Sequence, residues 1–350
     1  MNKFIKIFLI IISTILSLAY FISGYIFFNL IFYTRSIQDQ EIFQRNLVHH
    51  THLMNNISLA KSSELDMFLQ AINKNNKLDK HELIKEKLSL YDFLNSYNNI
   101  EELNITSFDN LNLKGYLLKN NIENNNKFVV IVHPYKGSYL DVLLVSFEFY
   151  KLGFNCLLLD VRGHGNSEGS YITLVDKERK DIRDWVSYIA KRYPQSEIIT
   201  YGMSMGASIV LTASSEKMPD NYKLCIADCP FNSINEVLYN VGKYIMKIPS
   251  ILLPFILSSI NIFDNIINGS SIYFSVANTL EKSKVPILFI HGDKDYFIPS
   301  FNSEYMYNNY KKDKDILIVK DAGHCESCFK DKKNYYNKIK EFCDKYIKYN

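Results

Sequence analysis

Apolar positions form one long run at the start of the chain and many short runs after residue 100. The long run, residues 7–34, carries no charge and would form a helix long enough to cross a hydrocarbon core with some tilt. It predicts a retained single-pass anchor within residues 1–35. A cleavable signal peptide is the alternative, because Lys3 and Lys6 precede the run. The apolar core is too long for a signal peptide, and no small-x-small cleavage site follows it.

The charges that flank the apolar run are nearly balanced. Lys3, Lys6 and the terminal amine lie on one side, and Arg35 and Arg45 lie on the other. Positive charge tends to stay on the cytoplasmic side of a membrane. The slight excess at the N-terminus favours an N-terminus inside and the bulk of the chain outside the cytoplasm.

Residues 36–100 show helical patterns interrupted by an Asn/Lys-rich stretch, and they predict a helical stalk or linker. His49, His50 and His52 lie within this segment and are candidates for metal binding. Carboxylate or cysteine partners at helical spacing are lacking, so a solvated helix face is the favoured interpretation.

The pattern changes at Glu101 and becomes that of a third segment, residues 101–350. Residues 103–108 and 111–119 predict an antiparallel hairpin at a sheet edge. Short apolar runs then alternate with helical patterns. The runs predict strands at 128–132, 155–159, 198–201, 224–227, 287–290 and 316–319, and helices near 140–151, 176–193, 205–215, 300–311 and 332–349. Strands that are apolar throughout and alternate with helices indicate an α/β class with a mostly parallel sheet covered on both faces.

One insertion, at about residues 231–284, interrupts this alternation. Its stretch from Ile248 to Leu257 is too apolar for a surface loop. We expect a small helical cap over the carboxyl ends of the strands, where open parallel sheets bind ligands. An extra piece of core and a second membrane-contacting surface are the alternatives.

Composition narrows the function classes. The net charge of +3 is small, and basic residues alternate with acidic ones along the chain. The sequence therefore predicts no basic surface that would bind nucleic acid.

The chain contains six cysteines. Cys156 and Cys225 fall in predicted strands, where a free thiol behaves as a small apolar residue. Cys325 and Cys328 have a recognised spacing, but no second pair completes a zinc site. Structural thiols are favoured, although a disulfide involving either residue is compatible with a location outside the cytosol.

Candidate chemistry centres on the segment Tyr201-Gly202-Met203-Ser204-Met205-Gly206. A β-branched and aromatic run precedes it and a small-residue helical pattern follows it. A Gly-x-Ser-x-Gly turn between a strand and a helix is a nucleophile elbow, in which glycines avoid collisions between a Cβ atom and nearby backbone. Ser204 is therefore the candidate nucleophile, with a serine in an ordinary loop as the alternative.

A serine hydroxyl needs a base within hydrogen-bond reach and an acid that orients the base. His324 is the candidate base because it follows the last predicted strand, at the sheet edge where the elbow lies; a solvated loop histidine is the alternative. Asp293 and Asp295 follow another strand at that edge. Asp295 is the favoured orienting acid, and Asp293 is expected to brace the turn. The order Ser204, Asp295, His324 is that of one particular fold.

The oxyanion of an acyl-transfer reaction must be stabilised by backbone N–H groups placed in advance. Met205 directly follows the nucleophile at a helix N-terminus, where amides are unpaired, and is one expected donor. The second donor is expected from the loop after strand 128–132. Pro134 has no N–H, so Tyr135 is the candidate.

These motifs together carry a resemblance to a known family. They are His133-Pro134-Tyr135-Lys136-Gly137, Asp160-Val161-Arg162-Gly163-His164-Gly165-Asn166-Ser167, Gly202-Met203-Ser204-Met205-Gly206, His291-Gly292-Asp293-Lys294-Asp295 and Gly323-His324. Residues 101–350 resemble the α/β-hydrolase superfamily, and more narrowly its serine aminopeptidase and monoacylglycerol lipase branch, which includes membrane-anchored bacterial members. The first motif departs from the usual His-Gly of this branch.

The resemblance implies an α/β-hydrolase fold and a serine hydrolase, with Arg162 and His164 as scaffold residues. It calls for no metal and no organic cofactor. We expect an ester of a small-molecule or lipid-like type to be cleaved through an acyl-enzyme. A peptidase or amidase with the same machinery is one alternative. A non-catalytic hydrolase fold used as a binding module is the alternative of another class.

Overall fold

The computed structural model describes residues 3–34, 97 and 99–347, with side chains from residue 12 onward. The cluster of His49, His50 and His52 lies outside the described residues, as does the predicted stalk apart from residues 97, 99 and 100.

The described part of the chain contains a sheet of eight strands in the order β1-β2-β4-β3-β5-β6-β7-β8. Strands β1 and β2 form an antiparallel hairpin, β2 pairs antiparallel with β4, and all other neighbours are parallel. The strands are β1 (Glu101–Thr106), β2 (Asn112–Leu118), β3 (Lys127–Val132), β4 (Asn155–Leu159), β5 (Glu197–Met203), β6 (Tyr222–Asp228), β7 (Ile287–Gly292) and β8 (Lys314–Val319).

Helices cover both faces of the sheet and also precede it. They are α1 (Lys3–Phe32), α2 (Leu143–Lys151), α3 (Glu178–Arg192), α4 (Met205–Ala213), α5 (Ile234–Asn240), α6 (Leu253–Phe263), α7 (Val276–Leu280), α8 (Phe301–Asn309), α9 (Ser327–Lys330) and α10 (Lys332–Tyr346). The sequence pattern extends the last helix to Tyr349, whereas the helix ends at Tyr346.

Both faces of the central strands are buried, which explains why these strands are apolar throughout. Along β3, Val130 and Val132 face one core cluster, while Val129 and Ile131 face the other. Side chains alternate across a strand, so a strand with a helix layer on each side has no solvated face. The predicted α/β fold with its edge hairpin is confirmed.

The insertion between β6 and β7 is helical. Helix α5 continues into a π-helical turn at Val241–Ile245, and α6 continues into a second one at Asp264–Asn268. Helix α6 begins with Pro254 in its first turn, where the missing N–H has no cost. Its buried residues include Leu253, Leu257 and Ile260, which lie three and four positions apart on one face. The cap therefore turns an apolar helix face toward the rest of the protein.

Helix α1 packs against the cap along its second half. Gly24, Phe28 and Phe32 are buried at intervals of four, so they form one stripe on the helix surface. A Cβ atom at Gly24 would overlap the side chain of Ser259 in α6. A small residue at this position lets the two helices approach closely.

Polar contacts accompany that packing. The Ser259 Oγ donates to the carbonyl oxygen of Tyr20 at 2.8 Å, and the Tyr20 hydroxyl donates to Ser258 Oγ at 3.0 Å. Beyond the helix, the Thr34 amide donates to Ser170 O at 3.1 Å. The end of α1 is therefore joined to the α/β body by side-chain packing and by backbone hydrogen bonds.

Candidate active site

Ser204 lies on the tight turn between β5 and α4. Its φ is 55° and its ψ is −118°, a strained conformation for a residue with a side chain. The Ser204 amide donates to the carbonyl oxygen of Asp228 at the end of β6, at 2.8 Å. A Cβ at Gly202 would overlap the backbone of Gly206, and a Cβ at Gly206 would overlap the backbone of Val132. Both glycines are needed because three backbone segments converge under the serine.

The three residues that the sequence selects for chemistry lie in one hydrogen-bonded chain. Ser204 Oγ is 2.8 Å from His324 Nε2, and His324 Nδ1 is 2.6 Å from Asp295 Oδ2. An ionised carboxylate only accepts hydrogen bonds, so Asp295 fixes the proton of the neutral imidazole on Nδ1. His324 Nε2 is then the acceptor for the Ser204 hydroxyl, which is the arrangement that a general base requires.

The surroundings of Asp295 keep it ionised. Burial raises its pKa, but hydrogen bonds from His291 and His324 outweigh burial and hold the pKa well below its usual value. The other carboxylate oxygen accepts the amides of Phe297 and Ile298 at 3.0 and 2.8 Å. A buried, ionised and fully bonded carboxylate holds the imidazole ring in place and stabilises its protonated form.

The pKa of His324 is raised above its usual value. Burial lowers this pKa, but the hydrogen bond to Asp295 and the neighbouring Cys325 thiol group raise it by more. The ring also contacts Phe297 edge to face, with ring centroids 5.0 Å apart. His324 therefore binds a proton more strongly than a free histidine does, which suits a base that must take a proton from serine.

Asp293 takes the bracing role expected for it. Its Oδ1 accepts the amide of Asp321 at 2.6 Å, which joins the loop after β7 to the loop after β8. His291 in the same motif is fully buried and lies 3.2 Å from Asp295 Oδ2. Its Nε2 donates to Ile298 O at 2.7 Å, so the histidine also holds the loop that carries the acid. Sequence reasoning quoted this histidine within its motif but gave it no role.

The loop after β3 is held from both sides. His133 is fully buried; its Nδ1 donates to Pro134 O at 2.7 Å, and its Nε2 accepts the Val161 amide at 3.1 Å. Burial lowers the pKa of His133 to about 4, so the ring is neutral and structural. On the other side, the Tyr135 hydroxyl donates to Ile31 O of α1 at 2.6 Å. The end of α1 therefore contacts the loop that contains the candidate oxyanion donor.

Arg162 and His164 are both buried. Arg162 makes paired hydrogen bonds to Asp181, at 2.6 Å each, and to Asp109, at 2.8 and 3.1 Å. His164 Nδ1 donates to Arg162 O at 2.9 Å, and burial lowers its pKa to about 3. These contacts join the hairpin, the loop after β4 and helix α3, in keeping with a scaffold role.

An apolar cavity of about 240 Å³ opens above Ser204. Ser204, Tyr135 and Met205 are among its lining residues, so the cavity contains the candidate nucleophile and both candidate oxyanion residues. Its volume exceeds the roughly 150 Å³ of a cavity that holds benzene. Its other lining residues are Phe27, Leu30, Ile31, Leu174, Phe231, Ile234, Val237, Leu238, Val241, Gly242, Met246, Ile248, Leu253, Ile256, Leu257, Ile260, Phe297 and Ile298.

Three of those lining residues belong to α1. Phe27, Leu30 and Ile31 form part of the cavity wall together with the cap. Sequence reasoning missed them because every face of the segment is apolar, which gives no sign of a face turned toward protein. The repeat Gly24, Phe28, Phe32 is visible in the sequence, but it does not by itself distinguish a protein contact from a lipid contact.

All six cysteines are free thiols. Within the described residues, Cys229, His324 and Cys325 place ligand atoms within 4.8 Å of one another. Both ring nitrogens of His324 are already bonded to Ser204 and Asp295, so a metal ion would have to displace one of these partners. The group is therefore a poor fit for a resident metal.

Several known proteins are similar to this chain in sequence or in fold. Residues 123–262 match the family described as "Serine aminopeptidase, S33". An uncharacterised Bacillus subtilis protein, YqkD, is 28% identical over 77% of this chain and 88% of its own length. A monoacylglycerol lipase of Mycolicibacterium smegmatis is 26% identical over 51% of this chain and 73% of its own length. An esterase of Pyrococcus furiosus superposes with a TM-score of 0.59 at 25% identity, over 71% of this chain and 92% of the esterase.

Proposed function

We propose that this chain, which has an α/β-hydrolase fold and is similar to members of the serine aminopeptidase and monoacylglycerol lipase branch, is a serine esterase with an apolar acyl-binding site. The observation that carries the proposal is the hydrogen-bonded chain of Ser204, His324 and Asp295, in which Ser204 lines an apolar cavity. The esterase and lipase among the similar proteins support an ester as the substrate class.

The first half of the reaction forms an acyl-enzyme. Ser204 Oγ attacks the ester carbonyl carbon while His324 Nε2 takes the hydroxyl proton. The backbone amides of Tyr135 and Met205 stabilise the negative oxygen of the tetrahedral intermediate. His324 then gives its proton to the leaving alcohol oxygen as the bond between that oxygen and the acyl carbon breaks.

The second half reverses these roles with water. His324 Nε2 takes a proton from a water molecule, whose oxygen attacks the acyl carbon. The second tetrahedral intermediate releases Ser204, which regains its proton from His324, and the carboxylic acid leaves. Asp295 stays ionised throughout and stabilises the imidazolium in each half.

The cavity favours an ester with an apolar acyl group over an amino-terminal peptide. Aminopeptidase activity needs a group that binds a charged amino terminus, and a carboxylate is the usual choice. Among the described residues that line the cavity, none is Asp or Glu. The acyl chain of a lipid-like ester would instead lie against Phe27 and Leu30 of α1 and the cap helices. A peptidase remains the alternative activity, because the hydrogen-bonded machinery would serve an amide as well.

The membrane part of the proposal concerns α1. Residues Ile12–Phe32 are apolar and long enough to cross a bilayer, which suits a single-pass anchor with the catalytic body outside the cytoplasm. Removal of the segment as a signal sequence would take away Phe27, Leu30 and Ile31 from the cavity wall. Retention is therefore the proposal, and N-terminal sequencing of the protein recovered from membranes tests it. A mature protein that begins beyond residue 34 would contradict retention.

A fluorophosphonate probe tests the nucleophile directly. We expect membranes that contain the native chain to be labelled, and the Ser204→Ala variant to be unlabelled, with ester turnover reduced by a factor on the order of 10⁵ to 10⁶. Ser250→Ala is the matched control, because Ser250 is an exposed serine on the cap. Absence of labelling in a folded native protein would contradict the serine mechanism and support the non-catalytic binding module.

A substrate panel then separates ester from amide. Acetyl, hexanoyl and decanoyl esters of one chromogenic alcohol are compared with the matching anilides. We expect hexanoyl esters to exceed acetyl esters in kcat/KM, because the longer chain buries more apolar area in the cavity. A preference for the anilides would favour the peptidase or amidase.

A further inference from the structure

Two thiols lie beside the candidate triad without a role in it. Cys229 is the first residue after β6, and Cys325 directly follows His324. Their sulphur atoms are 3.6 Å apart, although 96 positions separate them in the chain. Cys229 is fully buried, whereas Cys325 is partly exposed. The pair therefore has one protected and one accessible sulphur.

We propose that Cys229 and Cys325 form a modification site, which low-molecular-weight disulfides oxidise reversibly to a Cys229–Cys325 disulfide. A disulfide bond is about 2.05 Å long, so the sulphur atoms need to approach by roughly 1.5 Å. The approach requires rotation of the two side chains and movement of the loop that carries Cys325. The effect of the bond on catalysis rests on the proposed function, whereas its formation does not.

Cys325 is the sulphur that reacts first. The hydrogen bond from Cys229 and the neighbouring His324 lower the pKa of Cys325 below its usual value. The thiolate is the nucleophilic form of cysteine, and partial exposure admits a small reagent. Burial raises the pKa of Cys229 well above its usual value, so this thiol serves as the resolving partner.

The reaction is a pair of thiol–disulfide exchanges. The Cys325 thiolate attacks one sulphur of the small disulfide, forms a mixed disulfide and expels one small thiolate, which takes up a proton. Cys229 then loses its proton and attacks the Cys325 sulphur, which expels the second small thiol. Two protein thiols are oxidised and one small disulfide is reduced to two thiols, so the electrons balance.

Closure of this bond disturbs His324. The Cys229 amide donates to Ile290 O at 2.8 Å, which fixes Cys229 at the end of the sheet. The movement therefore falls on Cys325, whose backbone is continuous with His324. The two hydrogen bonds of the triad depend on positions within a few tenths of an ångström, and a misplacement of 1 Å costs about a hundredfold in rate. We expect the oxidised protein to have a kcat/KM at least about tenfold lower.

Cys328 offers a matched comparison within the same loop. It is the residue that the Cys-x-x-Cys spacing pairs with Cys325, yet its thiol donates to the backbone carbonyl of Cys325 at 4.0 Å. It is buried, and burial raises its pKa well above its usual value. The structure therefore selects Cys229, and not Cys328, as the partner of Cys325.

The experiment uses the full-length protein in detergent and oxidised glutathione as the probe. After oxidation, remaining thiols are alkylated and the peptides are analysed by mass spectrometry with and without reduction. We expect a cross-linked peptide that joins residues 229 and 325. Cys229→Ser should stop at a glutathione adduct on Cys325, Cys325→Ser should form neither product, and Cys328→Ser should behave as the native chain.

Ester turnover is followed in the same samples. We expect the activity of native protein and Cys328→Ser to fall on oxidation and to return with dithiothreitol, while Cys325→Ser is insensitive. A bond between Cys325 and Cys328, or no bond at all, overturns the site. An intact 229–325 bond with unchanged turnover overturns its effect on catalysis. Bond formation in a protein that hydrolyses no ester upholds the modification site and rejects the proposed function.

Discussion

The two halves of helix α1 have the same apolar character and opposite surroundings. From Ile12 to Ala19 the side chains are exposed. From Tyr20 onward the helix has one face against the protein, with Gly24, Phe28 and Phe32 buried and Phe27 and Leu30 at the cavity. The difference begins where α6 comes within contact distance, at Tyr20 and Ser258.

This difference shows that apolar composition alone does not assign a helix to lipid or to protein. Both environments accept the same side chains, because each removes apolar surface from water. Two features distinguish the second half. Gly24 is small enough to let Ser259 of α6 approach closely. The ring of Phe28 also stacks on those of Phe32 and Tyr171, with ring centroids 5.1 and 5.5 Å apart. One helix therefore has an exposed apolar part and a part that lines the cavity at Ser204.

The largest expected effect separates the two halves by stability. Phe28→Ala removes a fully buried ring and should lower the free energy of unfolding by about 3–5 kcal/mol. Leu16→Ala in the exposed half removes no contact with the protein and should leave this free energy within about 0.5 kcal/mol of the native value. Thermal or denaturant unfolding in detergent measures both. Equal midpoints for the two variants would mean that α1 does not dock.

The next effect concerns substrate choice. Leu30→Trp places a larger side chain in the cavity wall and should reduce kcat/KM for decanoyl esters about tenfold or more relative to acetyl esters. Ile26→Trp is the matched control, because Ile26 is exposed on the same helix and does not line the cavity. If Leu30→Trp keeps the native preference for chain length, Leu30 of α1 does not contact the acyl chain of the substrate.

A smaller effect tests the contact between α1 and the loop after β3, which contains the candidate oxyanion donor Tyr135. Tyr135→Phe removes the hydrogen bond to Ile31 O and keeps the ring, so we expect a loss of about 1 kcal/mol, or roughly fivefold in kcat/KM on a short ester. Tyr273→Phe changes an exposed tyrosine of the cap and should have no effect. Native activity in Tyr135→Phe would show that the loop keeps its position without this hydrogen bond to α1.

The smallest expected effect is a shift in the pH dependence of kcat/KM, which is set by His324 and its neighbours. Only neutral His324 accepts the serine proton, and its pKa is raised, so the acid limb of kcat/KM should lie above the usual histidine value of about 6.5. Cys325→Ser removes one cause of that increase and should move the limb to lower pH. Leu30→Trp should leave the limb where it is. If both variants shift the acid limb, the substitution at Leu30 also changes the pKa of His324, which would contradict this expectation.

Sequence patterns anticipated the sheet and the residues that meet at its carboxyl edge. The strands were identifiable because buried parallel strands are apolar throughout, and Ser204 was identifiable because the elbow needs glycines at fixed positions around it. Asp295 and His324 followed from their positions after successive strands, since parallel strands bring their carboxyl ends to one edge. Their roles in chemistry remain part of the proposal, whereas their proximity is a property of the fold.

The features that the sequence did not indicate are contacts between distant segments. Three such contacts stand out. His291 supports Asp295, α1 contributes to the cavity wall, and Cys229 lies beside Cys325. In the last case, the Cys-x-x-Cys spacing gives no indication that Cys229 lies beside Cys325. The spacing of two cysteines along the chain shows that they lie on one loop. It does not show the direction in which each side chain points.

The sequence by itself determined the elements, the elbow and the chain order of the candidate triad, because these depend on local backbone geometry and on periods of two and about four residues. Only the tertiary structure decided which face of α1 meets protein and which thiols meet each other. Tyr20 and Ser258 are 238 positions apart, and Cys229 and Cys325 are 96 apart. Contacts at such separations are set by the packing of whole elements, which no local pattern encodes.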